Sequence, residues 1–383
     1  MTKPIYLDYN ATTPHDPEVI KAMRPFWEEE FGNPSSGHWY GIQPKKAVEN
    51  AREQVAALLS CSPGEIIFTS GGTESNNHAI QGIARAFRKK GNHIITSQIE
   101  HYAVSEVCKF LEAFGFETTY VPVDAQGMIS AEDVAAAIRP ETILITIMHA
   151  NNEVGTIQPI EEIARIAREK DIVMHTDAAQ SLGKIPSDVT QLGADLLSVA
   201  GHKLYAPKGI GALYIREGLP SEKFCHGAGQ EMGKRAGTEN VLEIVGLGAA
   251  CEIARRDLAD NMRQMRITRN LLHEGLAKAV PNIRLNGHSE KRLPNTLNLS
   301  FPNLEANRIL EEIGLEIAAS AGAACHADTV EISHVLEAMK LPLEYAKGTL
   351  RFSTGKMTTR AETDRAIRVI SDAVDTLAEA QSH

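Results

Sequence analysis

The run Asp195-Leu196-Leu197-Ser198-Val199-Ala200-Gly201-His202-Lys203-Leu204-Tyr205-Ala206-Pro207-Lys208-Gly209-Ile210-Gly211-Ala212-Leu213-Tyr214-Ile215 holds two apolar segments separated by a polar break. Apolar segments bounded by glycine and proline read as strands. Lys203 therefore falls in a short loop between two core strands, where rigid flanks can hold a reactive group in place. A lysine set among apolar walls gives up its proton more readily and becomes an amine nucleophile. Spacing alone does not separate that lysine from an ordinary solvated one, so the rest of the chain has to decide.

Working outward, strands alternate with helices. Ile66-Ile67-Phe68-Thr69 is a strand that runs into Ser70-Gly71-Gly72-Thr73-Glu74-Ser75-Asn76, and Ile80, Ile83, Ala84 and Phe87 then follow at helical spacing. His93 to Thr96 is a strand that leads to Glu100-His101 and a helix through Val107 and Leu111. Thr118 to Val123 is a strand, and Ser130-Ala131-Glu132-Asp133 starts a capped helix. Thr142 to Met148 is a buried-type strand ending in Ala150-Asn151-Asn152-Glu153-Val154-Gly155. After a helix over Ile160 to Arg168, the strand Ile172 to Gln180 carries Asp177 near its end. Repeated strand–helix units imply a mostly parallel sheet with helices on both faces. Ligands of such sheets collect beyond the carboxyl ends of the strands, and Thr73, His101, Asn152 and Asp177 all fall there. The Gly71-Gly72-Thr73 turn opens a helix whose N-terminus suits a phosphate. It is neither a Walker A loop nor a G-x-G-x-x-G, and an ordinary capped helix start fits it as well.

Elsewhere the reading is plainer. Leu7-Asp8-Tyr9-Asn10-Ala11-Thr12-Thr13-Pro14 reads as a turn, and Phe31 to Gly37 as a connecting loop. Lys45 to Leu59 is an amphipathic helix. The glycine-rich Gly227 to Thr238 is a long ordered loop. A helix runs from about Asn240 to beyond Arg266, with a break allowed, and Thr296 to Phe301 is a strand. Thr359-Arg360-Ala361-Glu362 is a capping box ahead of the apolar stripe Ala366, Ile370, Ala373, Val374 and Leu377. The change of pattern suggests a large domain over 14–255, with a smaller α+β domain formed by 1–13 and 256–383. A chain of 383 residues can support two such cores. The net charge of -10 offers no attraction for nucleic acid or an anionic membrane, and no apolar run is long enough to span a bilayer. The first residues lack the apolar core of a secretory signal. Five cysteines without metal-type spacing point to free thiols, a reducing cytoplasm and no metal site.

A lysine that can hold an aldehyde, an acid on the preceding strand and a phosphate-binding helix start are together what pyridoxal 5′-phosphate needs. The chain resembles the class-V, fold-type-I pyridoxal phosphate enzymes of the NifS/IscS-like cysteine desulfurase group over nearly its whole length. The runs that carry the resemblance are Tyr6 to Pro14, Phe68 to Asn76, Asn151-Asn152-Glu153-Val154-Gly155, His175 to Gln180, Gly201-His202-Lys203 and Arg235 to Asn240. The resemblance implies an α/β fold with a seven-stranded, mostly parallel sheet. It implies that Lys203 holds the cofactor and moves the Cα proton, while Asp177 pairs with the pyridinium nitrogen and Gln180 with the phenolic oxygen. His101 would stack on the ring and Asn152 would lie beside cofactor and substrate. Gly72, Thr73 and His202 would bind the phosphate, and Thr238 would reach the phosphate of the other subunit of a homodimer. Arg351 would clamp the carboxylate of L-cysteine. Cys325, in Ala318 to His326, would take the sulfur as a persulfide for an acceptor protein, and a thiol attacks as its thiolate. Cys61, Cys108, Cys225 and Cys251 read as packing.

Three departures bear on the activity. Ala200 stands where the group usually has serine, Met232 follows Gln230-Glu231 where arginine is usual, and His326 follows Cys325 where serine or threonine is common. Ala200, Gly322 to His326, Leu293 to Thr296 and Thr358 to Glu362 look more like selenocysteine lyases, so L-selenocysteine is the alternative substrate. Iron–sulfur cluster assembly, tRNA thiolation and selenium metabolism all stay open as destinations.

Overall fold

Ile66–Thr69, Gly211–Ile215, Leu196–Ala200, Val173–Asp177, Thr142–Thr146, His93–Ser97 and Glu117–Val121 lie side by side in that order as one seven-stranded sheet. The last five of these run parallel, and only Gly211–Ile215 is antiparallel to both of its neighbours. The structure, a computed structural model, describes residues 3–326 and 329–381; for 323–326, 329–331 and 381 it describes the backbone alone. Both faces of the sheet are covered, as a parallel sheet requires. Ile66, Phe68, Ile95, Ile145 and Leu197 face one apolar cluster. Their strand neighbours Ile67, Ile94, Leu144 and Leu196 face another, built with the helices Gly72–Ala86 and Tyr102–Glu112. This is the period-two alternation of strand side chains applied to a sheet with no wet face.

A separate antiparallel sheet orders Ser320–Ala321, Thr349–Ser353, Thr296–Ser300 and Arg284–Asn286. Its apolar cluster includes Leu297, Leu299, Phe352 and the stripe Ala366, Ile370, Ala373, Val374 and Leu377 of the helix Arg360–Gln381. Thr359 and Glu362 exchange the two bonds of a capping box at that helix start: Thr359 N donates to Glu362 Oε2 at 2.8 Å and Glu362 N to Thr359 Oγ1 at 3.2 Å. Ile5 and Leu7 join the same cluster, because Ile5–Tyr6 pairs with Ile317–Ala318.

One helix, Val241–Ala279, crosses from the first core to this one without a break over 39 residues. Ala250, Cys251 and Ala254 pack under the large sheet, and Leu272 and Leu276 under the small one. Position 255 thus lies inside a continuous helix. Gly246 and Gly248, which weaken a helix in isolation, let it lie close: a Cβ at Gly248 would come within 2.6 Å of Ala51, and one at Gly246 within 2.8 Å of Pro207. The helix expected from Lys45 begins at Trp39 and passes through Pro44. Proline already has a helical φ and here forfeits one bond near the helix start.

Candidate active site

Lys203 closes the one-turn helix Gly201–Lys203 at the end of Leu196–Ala200, and Asp177 ends the neighbouring strand. Between them opens a cavity of about 330 Å³. Gly72, Thr73, His101, Asn152, Gln180, His202 and Arg351 also line it, so nine of the expected site residues meet in one place. Lys203 Nζ donates to the carbonyl oxygens of Asn10 at 2.5 Å and Ala11 at 2.7 Å. Burial pushes this amine down to about 8; the Arg351 charge acts the same way, and Asp8 and Asp177 oppose it. Asp177 is buried and held by Asn76 Nδ2 at 2.7 Å and by the backbone N–H of Ala179 at 2.8 Å.

The segment read as a simple turn is the wall behind Lys203. Buried Asn10 accepts Gln180 Nε2 on its carbonyl at 2.9 Å, and its side chain donates to Thr296 Oγ1 at 2.8 Å. Beneath it lies Lys184, 4% exposed, with Nζ donating to Gln180 Oε1 at 2.9 Å and Asn10 Oδ1 at 3.2 Å. Burial lowers the Lys184 amine well below its usual range, and Lys203 and Arg351 add to the effect. Lys184 fixes the Gln180 amide with its oxygen down and its NH₂ toward Asn10. Sequence reasoning missed Asp8, Asn10, Asn76 and Lys184. Lys184 did carry a signal, since it follows Gln180 by four residues, but that spacing cannot show burial.

At the other end of the cavity, the helix Gly72–Ala86 starts with no side chain capping its first turn. Its leading N–H groups therefore stay available to an anion. Ala200 lines this end, and a Cβ on Gly72 would lie 3.1 Å from the Ala200 Cβ. His202 Nδ1 lies 3.2 Å from Thr12 Oγ1, and burial drops this imidazole to about 4, so it is neutral at pH 7. Arg235 pairs with Glu74 at 2.8 Å and ties the Arg235 to Thr238 run beside the same helix start. Thr238 is exposed and does not line this chain's cavity.

His101 caps the helix Tyr102–Glu112, its Nδ1 accepting Ala103 N at 3.0 Å. Desolvation by the pocket lowers it; Asp177 opposes this, and Lys203 adds to it. Arg351 is already engaged: Nη2 donates to Asp8 Oδ1 at 2.7 Å and Ser320 Oγ at 3.0 Å, and Nη1 to the Asn152 carbonyl at 3.2 Å. Its Nε is buried without a partner. An incoming carboxylate finds one Nη1 N–H still free and must displace Asp8 or Ser320 to reach Nη2. The Cys325 side chain lies outside what the structure describes. Its backbone pairs with Val330 in a hairpin of Ala323–His326 with Thr329–Ile332. The hairpin is rooted where Ser333 N donates to the Gly322 carbonyl at 3.0 Å, next to the pairing of Ser320 with Arg351. Three of the other cysteines are poor nucleophiles: burial pushes the Cys61 and Cys108 thiols up to about 12 and raises Cys251 too.

The family model for class-V aminotransferases matches residues 5–366. The chain belongs to the class-V aminotransferase family. Within this family it is 48% identical over 378 residues to cysteine desulfurase IscS of Dictyoglomus turgidum (strain DSM 6724 / Z-1310), covering 98% of this chain and 96% of that one. Among solved structures, a NifS-like protein superposes with a TM-score of 0.92 at 40% identity, covering 98% of this chain and all of that one. SspA in complex with cysteine superposes with a TM-score of 0.81, also at 40% identity, covering 93% of this class-V chain and all of SspA. The mostly parallel sheet expected from the strand–helix alternation, made mixed by the antiparallel Gly211–Ile215, is the fold of this family.

Proposed function

We propose that this class-V chain is a pyridoxal 5′-phosphate-dependent L-cysteine desulfurase that yields L-alanine and a persulfide on Cys325. The observation that carries the reading is a lysine lowered to about 8 in the same cavity as Asp177 and Arg351. The residues fit the cofactor. An uncapped helix start faces the part lined by Ala200 and His202, and a doubly held carboxylate lines the same cavity. Bound there, the cofactor supplies a sink for the electron pair left when a substrate loses its Cα proton. Lys203 holds the cofactor and carries that proton. Asp177 holds the ring nitrogen protonated, and Gln180, fixed by Lys184, donates from Nε2. Arg351 binds the substrate carboxylate. The Cys325 thiolate attacks the substrate sulfur. An S–S bond forms, the C–S bond breaks with its pair passing to the carbon skeleton, and protonation there gives alanine. A sulfur-acceptor protein or a reductant then clears the persulfide.

The protein acts as a homodimer in which Thr238 serves the partner's site. The exposed aromatics Trp27 and Trp39, each 77% exposed, and Phe31 at 79% support a covered face. Cys61, Cys108, Cys225 and Cys251 are free thiols, which suits the cytoplasm, and no described helix is long and apolar enough to cross a membrane. The test is turnover of cofactor-loaded protein on L-cysteine and L-selenocysteine in parallel, with alanine quantified. Loss of cysteine turnover in Cys325→Ala supports the desulfurase. A strong preference for selenocysteine that survives Cys325→Ala makes it a selenocysteine lyase, the reading that Ala200 and the Gly322 to His326 run favour.

A further inference from the structure

Away from the cavity, two arginines are buried without a counter-ion among the described residues. Arg269, on the long helix, is 6% exposed, and Arg292, on the segment leading into Thr296–Ser300, is 9% exposed. Arg292 Nε and Nη1 and Arg269 Nε are buried with no hydrogen-bond partner. The bond that Arg269 does make, from Nη1 to the Leu293 carbonyl, is long at 3.4 Å. Among the described residues neither arginine forms an ion pair. Burial, Arg292 and Arg266, in that order, depress Arg269, and no acid offsets them. His273 shares the cluster and is lowered by burial, then by both arginines, with Glu274 the one carboxylate that opposes this.

A guanidinium cannot shed its charge at neutral pH. Burying one unpaired costs several kcal/mol, and placing a second beside it adds repulsion. A pair of planar donor forks with free N–H groups is what binds a tetrahedral or planar oxyanion. We propose that Arg269 and Arg292 form a binding site for a small oxyanion, such as inorganic phosphate or sulfate, separate from the catalytic cavity. The anion neutralises the two guanidiniums and ties the long helix to the Arg292-Leu293 segment. That segment leads directly to Asn295 and Thr296, whose side chains hold Asn10 behind Lys203 at 2.9 and 2.8 Å. The site thus braces the joint between the two cores.

The test uses holoenzyme, so that the cofactor fills the other phosphate position. Thermal unfolding is followed against inorganic phosphate, with ionic strength held by a bulky sulfonate salt. A saturable rise in Tm of about 2–5 °C is expected. The rise should disappear in Arg292→Met and in Arg269→Met, and Arg292→Lys should need at least about tenfold more phosphate, because the fork is lost. If the variants fail to fold, exchange broadening of the phosphate ³¹P resonance by wild-type holoenzyme, reversed by sulfate, supports the site; its absence overturns it. Equal phosphate responses of wild type and Arg292→Met also overturn it. So does a phosphate-insensitive wild type whose Arg292→Met variant falls apart into monomers, since a partner's carboxylate would then be the counter-ion.

Discussion

The amine of Lys203 can attack an aldehyde only when it is unprotonated, so its depression to about 8 should govern how the apoprotein takes up pyridoxal 5′-phosphate. At pH 7 about one Lys203 in ten is neutral, against about one in three thousand for an ordinary lysine, a gain of about 300-fold. Uptake followed by the appearance of the visible absorption band should therefore rise about tenfold per pH unit and level off near pH 8. Arg351→Gln removes the charge that adds most to burial, and should move the break upward by up to about one unit. The same shift has a stability side. The folded amine is depressed, so between about 8 and 10.5 the unfolded chain holds more protons, and apoprotein stability rises with pH across that window. The whole rise is about 3 kcal/mol. Lys203→Met removes it, and also forfeits the bonds to the Asn10 and Ala11 carbonyls, about 1 kcal/mol each. The variant apoprotein should end up about 1 kcal/mol more stable than wild type at pH 7 in urea unfolding. A break in the uptake profile at pH 10 or above, or a Lys203→Met apoprotein that is clearly less stable, would refute the reasoning.

Three further outcomes are expected. Asp8→Asn frees Arg351 from its carboxylate and should lower KM for the amino acid about three- to tenfold with kcat less affected; a raised KM would mean that Asp8 positions the arginine. Glu231→Ala strands half-buried Arg52, which now makes a two-pronged pair at 2.7 and 2.8 Å. It should cost about 3 kcal/mol in denaturant midpoint measurements, and a loss below about 1 kcal/mol would show that the glycine-rich loop has other anchors. Glu100 is fully buried, and burial raises it to about 8, with Oε2 unpartnered. A raised acid contributes stability below about pH 4.5 that is lost as pH climbs through about 8, so Glu100→Gln should match wild type in acid and exceed it by about 5 kcal/mol above pH 8. Parallel stability profiles for the two would show that Glu100 is not protonated by burial.

Much of this was legible in the sequence, for a physical reason. Strand and helix periodicity follow from local side-chain direction, so the alternation that sets the sheet could be read from the chain, as could the capping box at Thr359. Chain connectivity also puts strand ends on one edge of a parallel sheet, which is why Thr73, His101, Asn152 and Asp177 could be grouped before any coordinates. Helix continuity was harder. Gly246 and Gly248 look like weak points in Val241–Ala279 until Pro207 and Ala51 are found packed against them.

Residue types and their order along the chain determined what chemistry the protein can attempt: an amine, an acid, a phosphate-suited turn and a thiol in a run of small residues at Cys325. Only the tertiary structure decided the state of those groups. Arg351 meets Asp8 across 343 residues, Lys203 meets the Asn10 carbonyl across 193, and Lys184 sits beneath Gln180, donating to its Oε1. Burial and charge neighbours of this kind set pKa values and free valences, and they arise from segments distant in the chain, where no local pattern records them.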